Sequence, residues 1–239
     1  MRKEFFEPQF RQAAADYFLL LNKGYPEKRM RLLVEDRYQL NTAQRTVLYR
    51  GVFPEEVNRR RRGKLVAALE IRQEKLLIDF LNLSYLLMNY LYGRNLFIAT
   101  DGVLRDDGEN YREFSSVPIF NQVLELITAA LTELDPAEVE LVLDRPHLPP
   151  AFDLLSDAAA LSAAFSAVPA EIKVHMTAVA DKYIRDQTDA VLVSADSRII
   201  DRSDLRVCDL GYLILSRTYN AVFPNLTDLI QATDWKTPT

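Results

Sequence analysis

The sequence predicts an α/β fold with a mostly parallel sheet over residues 72–239, preceded by a small all-helical domain over residues 1–71. Three observations support this prediction. The first 70 residues carry apolar residues at helical spacing and no run that alternates with a period of two. From Lys75 onward, short strand-like runs alternate with helical segments. Such alternation is typical of βαβ units, whose crossover helices cover both faces of a parallel sheet.

Three or four helices are predicted in the N-terminal part. The first lies in QFRQAAADYFLLLNKGYP and ends at Gly24 and Pro26. A second is predicted in EKRMRLLVEDRYQL, and Asn41 or Thr42 can cap a third in AQRTVLYRGVF. After a break near residues 51–54, the helical pattern continues in EEVNRRRRGKLVAALEIRQ.

The order of segments predicts the α/β part. Strands are expected in KLLIDF, NLFIATDG, EVELVLD, EIKVHM, DAVLVSAD and LRVCDLGYLIL. Helices are expected in NLSYLLMNYLYG, PIFNQVLELITAALTEL, DLLSDAAALSAAFSAV and AVADKYIRDQ.

The composition is that of a globular chain with a buried core, since 49% of the residues are hydrophobic and 26% are charged. The single cysteine, Cys208, excludes an internal disulfide and a zinc site built on thiolates. The 7 glycines form neither GxGxxG nor a P-loop pattern, which argues against those nucleotide sites. No stretch approaches the roughly 18 to 20 uninterrupted apolar residues of a membrane span, and no signal peptide is recognised. We therefore expect a cytoplasmic protein without membrane contact.

Charge is distributed unevenly along the chain. Residues 1–70 carry 15 Lys and Arg against 9 Asp and Glu, whereas the remaining 169 residues carry 14 against 25. A basic part joined to an acidic part indicates contact with nucleic acid. The side chains expected to hold the phosphate backbone are Arg59, Arg60, Arg61, Arg62 and Lys64. The alternative is that the arginine run is only a solvated helix end.

Four strand candidates end on a carboxylate: LLID on Asp79, FIATD on Asp101, LVLD on Asp144 and LVSAD on Asp196. Because ligands bind outside the carboxyl ends of parallel strands, these side chains are expected at one edge of the sheet. Carboxylates brought together repel one another unless a cation lies among them, and Mg²⁺ or Mn²⁺ prefers oxygen ligands. The pattern predicts a metal site for phosphoryl transfer or hydrolysis. For any single one of these residues, the alternative is a helix cap.

Three further residues are candidates at this edge. Asn82 can contact a ligand or phosphate, or cap a helix. Asp181, on the predicted helix before the last central strand, faces the edge if the crossover is right-handed, and is otherwise a solvated side chain. Arg198 can bind a phosphate or pair with a neighbouring Asp.

The segments LLIDFLN, LVLD, VADKYI and AVLVSADSRIID, in this order, resemble the PIN/NYN-like nuclease superfamily. The resemblance implies a three-layer Rossmann-like fold in which Asp79 and Asp196 are metal ligands. It implies that Asp144 and Asp181 are the other acidic members and that Asn82 is a supporting polar residue. It also implies cleavage of RNA with Mg²⁺ or Mn²⁺. Through LNKGYPEKRMRLLVEDRYQL, TDGVLRDDGENYR and SADSRIIDR, the chain further resembles an uncharacterised prokaryotic family of two-part proteins.

The leading hypothesis is therefore a cytoplasmic, metal-dependent ribonuclease with RNA as its partner. Two departures favour a catalytically weak or inactive binding module as the alternative. Phe80 replaces the small residue expected after Asp79, and SADSRII lacks the acidic residue expected two places after Asp196. A small-molecule phosphohydrolase is a third hypothesis. The oligomeric state stays open, with a homodimer among the alternatives.

Overall fold

The computed structural model describes residues 7–108, 116–148 and 153–232. The chain forms two compact units. Unit 1 comprises Met1–Gly63, Gly93–Glu109 and Val222–Thr239, and unit 2 comprises Lys64–Tyr92 and Asn110–Ala221. The division predicted between residues 71 and 72 differs from the observed one, because a middle segment and the C-terminal segment return to unit 1.

Four helices begin unit 1, which confirms the helical character predicted for the N-terminal part. They are α1 (Pro8–Asn22), α2 (Glu27–Arg37), α3 (Thr42–Gly51) and α4 (Glu55–Arg62). Asn41 and Gln44 form a capping box at the start of α3, since each side chain accepts a hydrogen bond from the other residue's backbone N–H. The core of this unit gathers apolar faces of these helices with Phe97 and with Leu226 of a short C-terminal helix.

The second predicted strand belongs to unit 1 and not to the parallel sheet. β2 (Leu96–Ile98) pairs antiparallel with β3 (Leu104–Asp106) in a separate two-stranded sheet. The turn between them is tight because Gly102 adopts a φ of +88° and donates its N–H to the Ala99 carbonyl. A connection this short joins antiparallel strands, whereas parallel strands need a crossover of about a dozen residues or more. The prediction that NLFIATDG joins the main sheet is wrong.

Unit 2 is built on a five-stranded sheet in the order β5–β4–β1–β6–β7, in which every pairing is parallel. This confirms the mixed α/β class and the mostly parallel sheet. The strands are β1 (Lys75–Asp79), β4 (Glu138–Asp144), β5 (Glu171–Thr177), β6 (Val191–Val193) and β7 (Arg206–Val207).

Helices connect these strands along the chain. They are α5 (Phe80–Leu91), α6 (Val117–Leu134), α7 (Ala158–Ala164), α8 (Ala180–Arg185), α9 (Ser197–Arg202) and α10 (Leu210–Tyr219), and α11 (Leu226–Gln231) completes unit 1. The predicted strand LRVCDLGYLIL is wrong over most of its length, because only Arg206 and Val207 are extended. Asp209 ends the strand by accepting the Tyr212 N–H and so capping α10.

Within the described residues, α6 has the length and apolar composition of a membrane-spanning helix. Its buried residues Phe120, Val123, Ile127, Leu131 and Leu134 recur at helical spacing along one face. A helix packed into a domain core meets the same length and composition test, and this one-sided burial is typical of such a helix.

Candidate functional site

The candidate site lies at the carboxyl edge of the unit 2 sheet, where the strand order reverses. β1 is the first strand in the chain and lies at the centre of this sheet. The next two strands of the sheet, β4 and β5, lie on one side of it, and the last two, β6 and β7, lie on the other. In open parallel sheets, a crevice for ligands forms at this switch point. Asp79 is the last residue of β1, and Ser194 directly follows β6. The two residues therefore face each other across the switch point.

Asp79 is almost fully buried, with 8% of its surface exposed. Its Oδ2 accepts a hydrogen bond of 2.9 Å from the Ser194 hydroxyl. Burial, with a smaller contribution from the negative charges of Asp196 and Asp181, raises the pKa of Asp79 to about 7, although the hydrogen bonds from Ser194 and the Asn82 backbone oppose the shift. A carboxyl group destabilised by burial and by like charges is one that a bound cation would stabilise in its ionised form.

Asp196 is linked to Asp79 through Ser194, whose hydroxyl oxygen accepts the Asp196 N–H at 3.1 Å. Its own carboxylate caps α9, because Oδ1 accepts the Arg198 N–H at 2.7 Å. Oδ2 lies 3.6 Å from the Arg198 guanidinium, which is 74% exposed. Asp196 thus caps α9, one of the two roles that the sequence left open, and its role as a metal ligand stays a prediction. Arg198 pairs with Asp196 itself.

Asn82 anchors the loop that carries Asp196. Its Oδ1 accepts the Ala195 N–H at 2.7 Å, which ties the end of β6 to the first turn of α5. The amide oxygen is therefore used within the protein, where it positions the loop, and contact of Asn82 with a ligand stays a prediction.

Asp144 lies on the same sheet face as Asp79. The β1–β4 register aligns Asp79 with Val142, so Asp144, two residues further along β4, points to the same side. It is half-buried and extends beyond the end of β1 by one two-residue step of about 7 Å. Asp144 therefore flanks the Asp79 position on the side opposite β6.

Asp181 is half-buried in the first turn of α8. Two residues later, the Tyr183 hydroxyl donates to Glu140 of β4, and the Tyr183 ring stacks on His175 of β5 with centroids 3.7 Å apart and an interplanar angle of 14°. These contacts hold α8 on the sheet and so position Asp181. We refer to Tyr183, Glu140 and His175 as the α8 clamp.

The sequence reasoning missed the α8 clamp and the charged ladder that continues from it. Lys75 Nζ lies 2.8 Å from Glu140 and 3.0 Å from Glu138, and Lys173 Nζ lies 2.7 Å from Glu138. Burial alone would raise the pKa of Glu140, but hydrogen bonds from Lys75 and Tyr183 lower it below its ordinary value. The signal was available, because EIKVHM places a polar residue at every second position and EVELVLD begins with the same alternation at Glu138 and Glu140.

Asp101 is absent from this edge and lies inside unit 1, where it is fully buried. Arg105 binds it through two hydrogen bonds of 2.7 and 2.8 Å, and Arg61 adds a third of 2.9 Å. Burial acts to raise the pKa of Asp101, but Arg105 and Arg61 hold it below its ordinary value. The prediction that Asp101 shares a metal site with Asp79 is wrong, because the hairpin takes Asp101 out of the sheet and two arginines neutralise it.

The basic run of the N-terminal part does not form one phosphate-binding surface. Arg61 is buried against Asp101, and Arg62 donates to Glu55 at 2.9 Å. Lys64 belongs to unit 2 and donates to the Ile200 and Ser203 carbonyls. Arg59 and Arg60 remain exposed. The prediction that Arg61 contacts RNA is wrong, because this guanidinium lies within the unit 1 core.

In residues 7–108, 116–148 and 153–232, no group of three His, Cys, Asp or Glu side chains could enclose a metal ion. Mg²⁺ often keeps several waters and is held by only one or two carboxylates. Asp79 and Asp196, joined through Ser194, fit a hydrated ion of this kind. The described residues do not fit an ion surrounded entirely by protein ligands.

Family comparisons divide the chain in a similar way. A model described as "Domain of unknown function (DUF5616)" matches residues 68–212, more than half of the chain. The chain belongs to the DUF5616 family. A second model, described as "Protein of unknown function (DUF434)", matches residues 9–64 and so covers most of α1 to α4. The comparisons with curated proteins and with solved structures found no match.

The DUF5616 match contains all the residues of the candidate site, from Asp79 to Arg198. It also contains Phe80, which replaces the small residue expected after Asp79. Phe80 is fully buried, and its ring packs edge-on against Phe165 with centroids 6.0 Å apart. It therefore packs into the core of unit 2. The resemblance to PIN/NYN-like nucleases stays a prediction.

Proposed function

We propose that this DUF5616 protein is a metal-dependent ribonuclease of the PIN/NYN-like type, in which unit 2 hydrolyses phosphodiester bonds and unit 1 binds RNA. The observation that carries the proposal is the environment of Asp79. It ends the central strand at the switch point, and burial together with Asp196 and Asp181 raises its pKa to about 7. Acidic residues perturbed in this way, at a place where the fold binds ligands, are candidates for functional sites.

The residues suited to hold Mg²⁺ or Mn²⁺ are Asp79 and Asp196, with Asp181 and Asp144 beside them. A bound ion of this class supplies an activated water and neutralises charge on a phosphodiester. Ser194 orients the Asp79 carboxylate through its hydroxyl, and Asn82 fixes the Ala195 backbone so that Asp196 stays at the edge. Arg198 must release Asp196 when a cation binds, and its exposed guanidinium is then available to a phosphate.

One observation favours a non-catalytic binding module as the second candidate. Asp196 already caps α9 and pairs with Arg198, and the described residues contain no three-residue metal group. A protein of this kind would keep the fold and bind RNA without cutting it. A small-molecule phosphohydrolase would use the same carboxylates on a phosphate monoester.

A cleavage assay separates these functions. The full chain is incubated with end-labelled single-stranded RNA and with an aryl phosphate monoester, each with Mn²⁺, Mg²⁺ or EDTA. We expect RNA cleavage that needs the metal and falls by about a hundredfold or more in Asp79→Asn and Asp196→Asn. Asp204→Asn, at an exposed position away from the edge residues, is the matched control. Intact RNA with the wild-type protein, or equal cleavage by the Asp79 variant, would contradict the ribonuclease proposal.

A further inference from the structure

The turn between α1 and α2 presents an aromatic side chain at the surface of unit 1. Tyr25 is 51% exposed, a large fraction for a ring of this size. Lys23 precedes it by two residues, and Lys28 and Arg29 follow within four, all of them exposed. We refer to these four residues as the Tyr25 patch.

Backbone hydrogen bonds define this turn. Gly24 has a φ of +78° and donates its N–H to the Leu21 carbonyl, while the Tyr25 N–H reaches the Leu20 carbonyl. This pair of hydrogen bonds forms a Schellman motif, which fixes the end of a helix. Pro26 follows and begins α2 by accepting the N–H of Arg29 and of Met30. The backbone at Tyr25 is thus hydrogen-bonded in the free protein, so binding does not have to order this turn.

The patch is also electropositive. Within residues 23–29, its three cations outnumber the single carboxylate, Glu27, in the first turn of α2. Within the described part of the chain, none of the three cations forms an ion pair. This differs from Arg61 and Arg62, whose guanidinium groups bind Asp101 and Glu55.

From these features we infer that the Tyr25 patch is the site where unit 1 binds single-stranded RNA, an inference that rests on the proposed action on RNA. An aromatic face stacks on any base, and cations on either side neutralise the neighbouring phosphates. The bases of a duplex are stacked on each other and do not offer a face to Tyr25, so the substrate class is single-stranded. The patch supplies the contacts that the buried Arg61 cannot make.

The path of the strand continues toward α4. Asn22, the last residue of α1, accepts the Glu55 N–H at 2.8 Å and joins this end of α1 to the start of α4. Arg59 and Arg60 are exposed later on α4. Unit 1 therefore carries further exposed cations, at the end of a helix that begins beside Asn22 with Glu55 and Glu56.

Fluorescence anisotropy with a labelled oligouridylate of about 12 nucleotides tests the inference. This length lies within the range of about 4–16 nucleotides that single-strand-binding OB-fold domains cover. EDTA is present throughout, so that binding is measured without cleavage. Tyr25→Ala is expected to raise the Kd about tenfold, whereas Tyr25→Phe, which keeps the aromatic face, should bind like the wild type. Tyr212→Ala removes a ring that is 38% exposed on unit 2 and is the matched control.

Salt dependence tests the three cations. Replacing Lys23, Lys28 and Arg29 together by Gln should reduce the slope of log Kd against log salt by about 2, because each phosphate contact to a single strand contributes about 0.7. Tyr25→Ala should leave this slope unchanged, since stacking releases no counterions. The two variants therefore report separate parts of the patch.

Three results would overturn the inference: unchanged binding by Tyr25→Ala, tighter binding to duplex than to single-stranded RNA, or binding to anionic vesicles alone. The vesicles test whether Leu32 and Leu33, which are 51% and 54% exposed, enter a membrane instead. Loss of the proposed catalysis is a distinct result. If RNA binds through Tyr25 but is never cut, the hydrolytic proposal fails and this inference stands. If RNA is cut but Tyr25→Ala binds RNA as the wild type does, the hydrolytic proposal stands and this inference fails.

Discussion

Replacing Asp79 by Asn should stabilise the metal-free protein, although the same change should abolish the proposed activity. The folded protein holds this carboxyl at a pKa of about 7, against an ordinary value of 3.8. An acid whose pKa is raised by folding destabilises the folded state increasingly as the pH rises from about 4 to about 7. Asn82 and Ser194 keep their contacts with the loop in either case, so the variant removes mainly the buried charge.

The magnitude follows from the shift in pKa. Each pKa unit corresponds to about 1.4 kcal/mol, so the raised pKa of Asp79 costs about 4 kcal/mol at pH 8, where the buried group is ionised, and about 1.5 kcal/mol at pH 5, where it takes up a proton on folding. An asparagine side chain does not titrate, so the variant lacks this pH-dependent cost. The stability gained by Asp79→Asn should therefore be larger at pH 8 than at pH 5 by about 2.5 kcal/mol. Loss of an imperfectly replaced hydrogen bond from Ser194 subtracts about 1 kcal/mol at both pH values.

Urea denaturation in EDTA, followed by far-UV circular dichroism at pH 5 and pH 8, measures this difference. Asp204→Asn removes an exposed charge and serves as the control, with an expected change within about 0.5 kcal/mol. A free energy of unfolding that falls equally at both pH values in Asp79→Asn would refute the reasoning. That result would mean that Asp79 is an ordinary hydrogen-bonded carboxylate.

Three other variants test the remaining contacts. Asp101→Asn should lower the free energy of unfolding by about 3–5 kcal/mol in urea, because Arg61 and Arg105 stay buried without their counter-ion; a change below about 1 kcal/mol would contradict this. Tyr183→Phe keeps the ring on His175 but removes the hydroxyl, so we expect a loss of about 2 kcal/mol and faster hydrogen exchange in α8; unchanged exchange would show that the clamp does not hold α8. Asn82→Ala should accelerate exchange of the Ala195 amide, which NMR can follow, and protection equal to the wild type would exclude the anchor.

The carboxyl edge was predictable from sequence because its signals are local. Apolar runs that end on Asp79, Asp144 and the Ser194–Asp196 segment mark strands and their ends without reference to the rest of the chain. Helical periodicity and the Asn41 cap similarly locate the N-terminal helices. Elements that depend on such short-range patterns appear in the structure close to their expected positions.

The errors arise where a distant partner decides the outcome. The run that ends on Asp101 looks like the other strand ends, yet the Asp–Gly turn followed by three extended residues makes it a hairpin. Within the arginine run, only Arg61 faces the core, because Asp101 lies forty residues away in sequence and takes its guanidinium. No composition or spacing within EEVNRRRR distinguishes that position from its neighbours. The turn signal was present in the sequence, whereas the identity of the buried arginine needs the fold.

Titration of Mn²⁺ into the metal-free protein by calorimetry at pH 8, where Asp79 is ionised, tests the metal site most directly. We predict binding by the wild type and by Asp204→Asn, and loss of that binding in both Asp79→Asn and Asp196→Asn. The affinity of the wild type should also fall from pH 8 to pH 6, because the cation must displace a proton from Asp79. Absence of Mn²⁺ binding by the wild type would contradict a metal-dependent site at this edge. Binding by Asp79→Asn and Asp196→Asn with the wild-type affinity would contradict it as well.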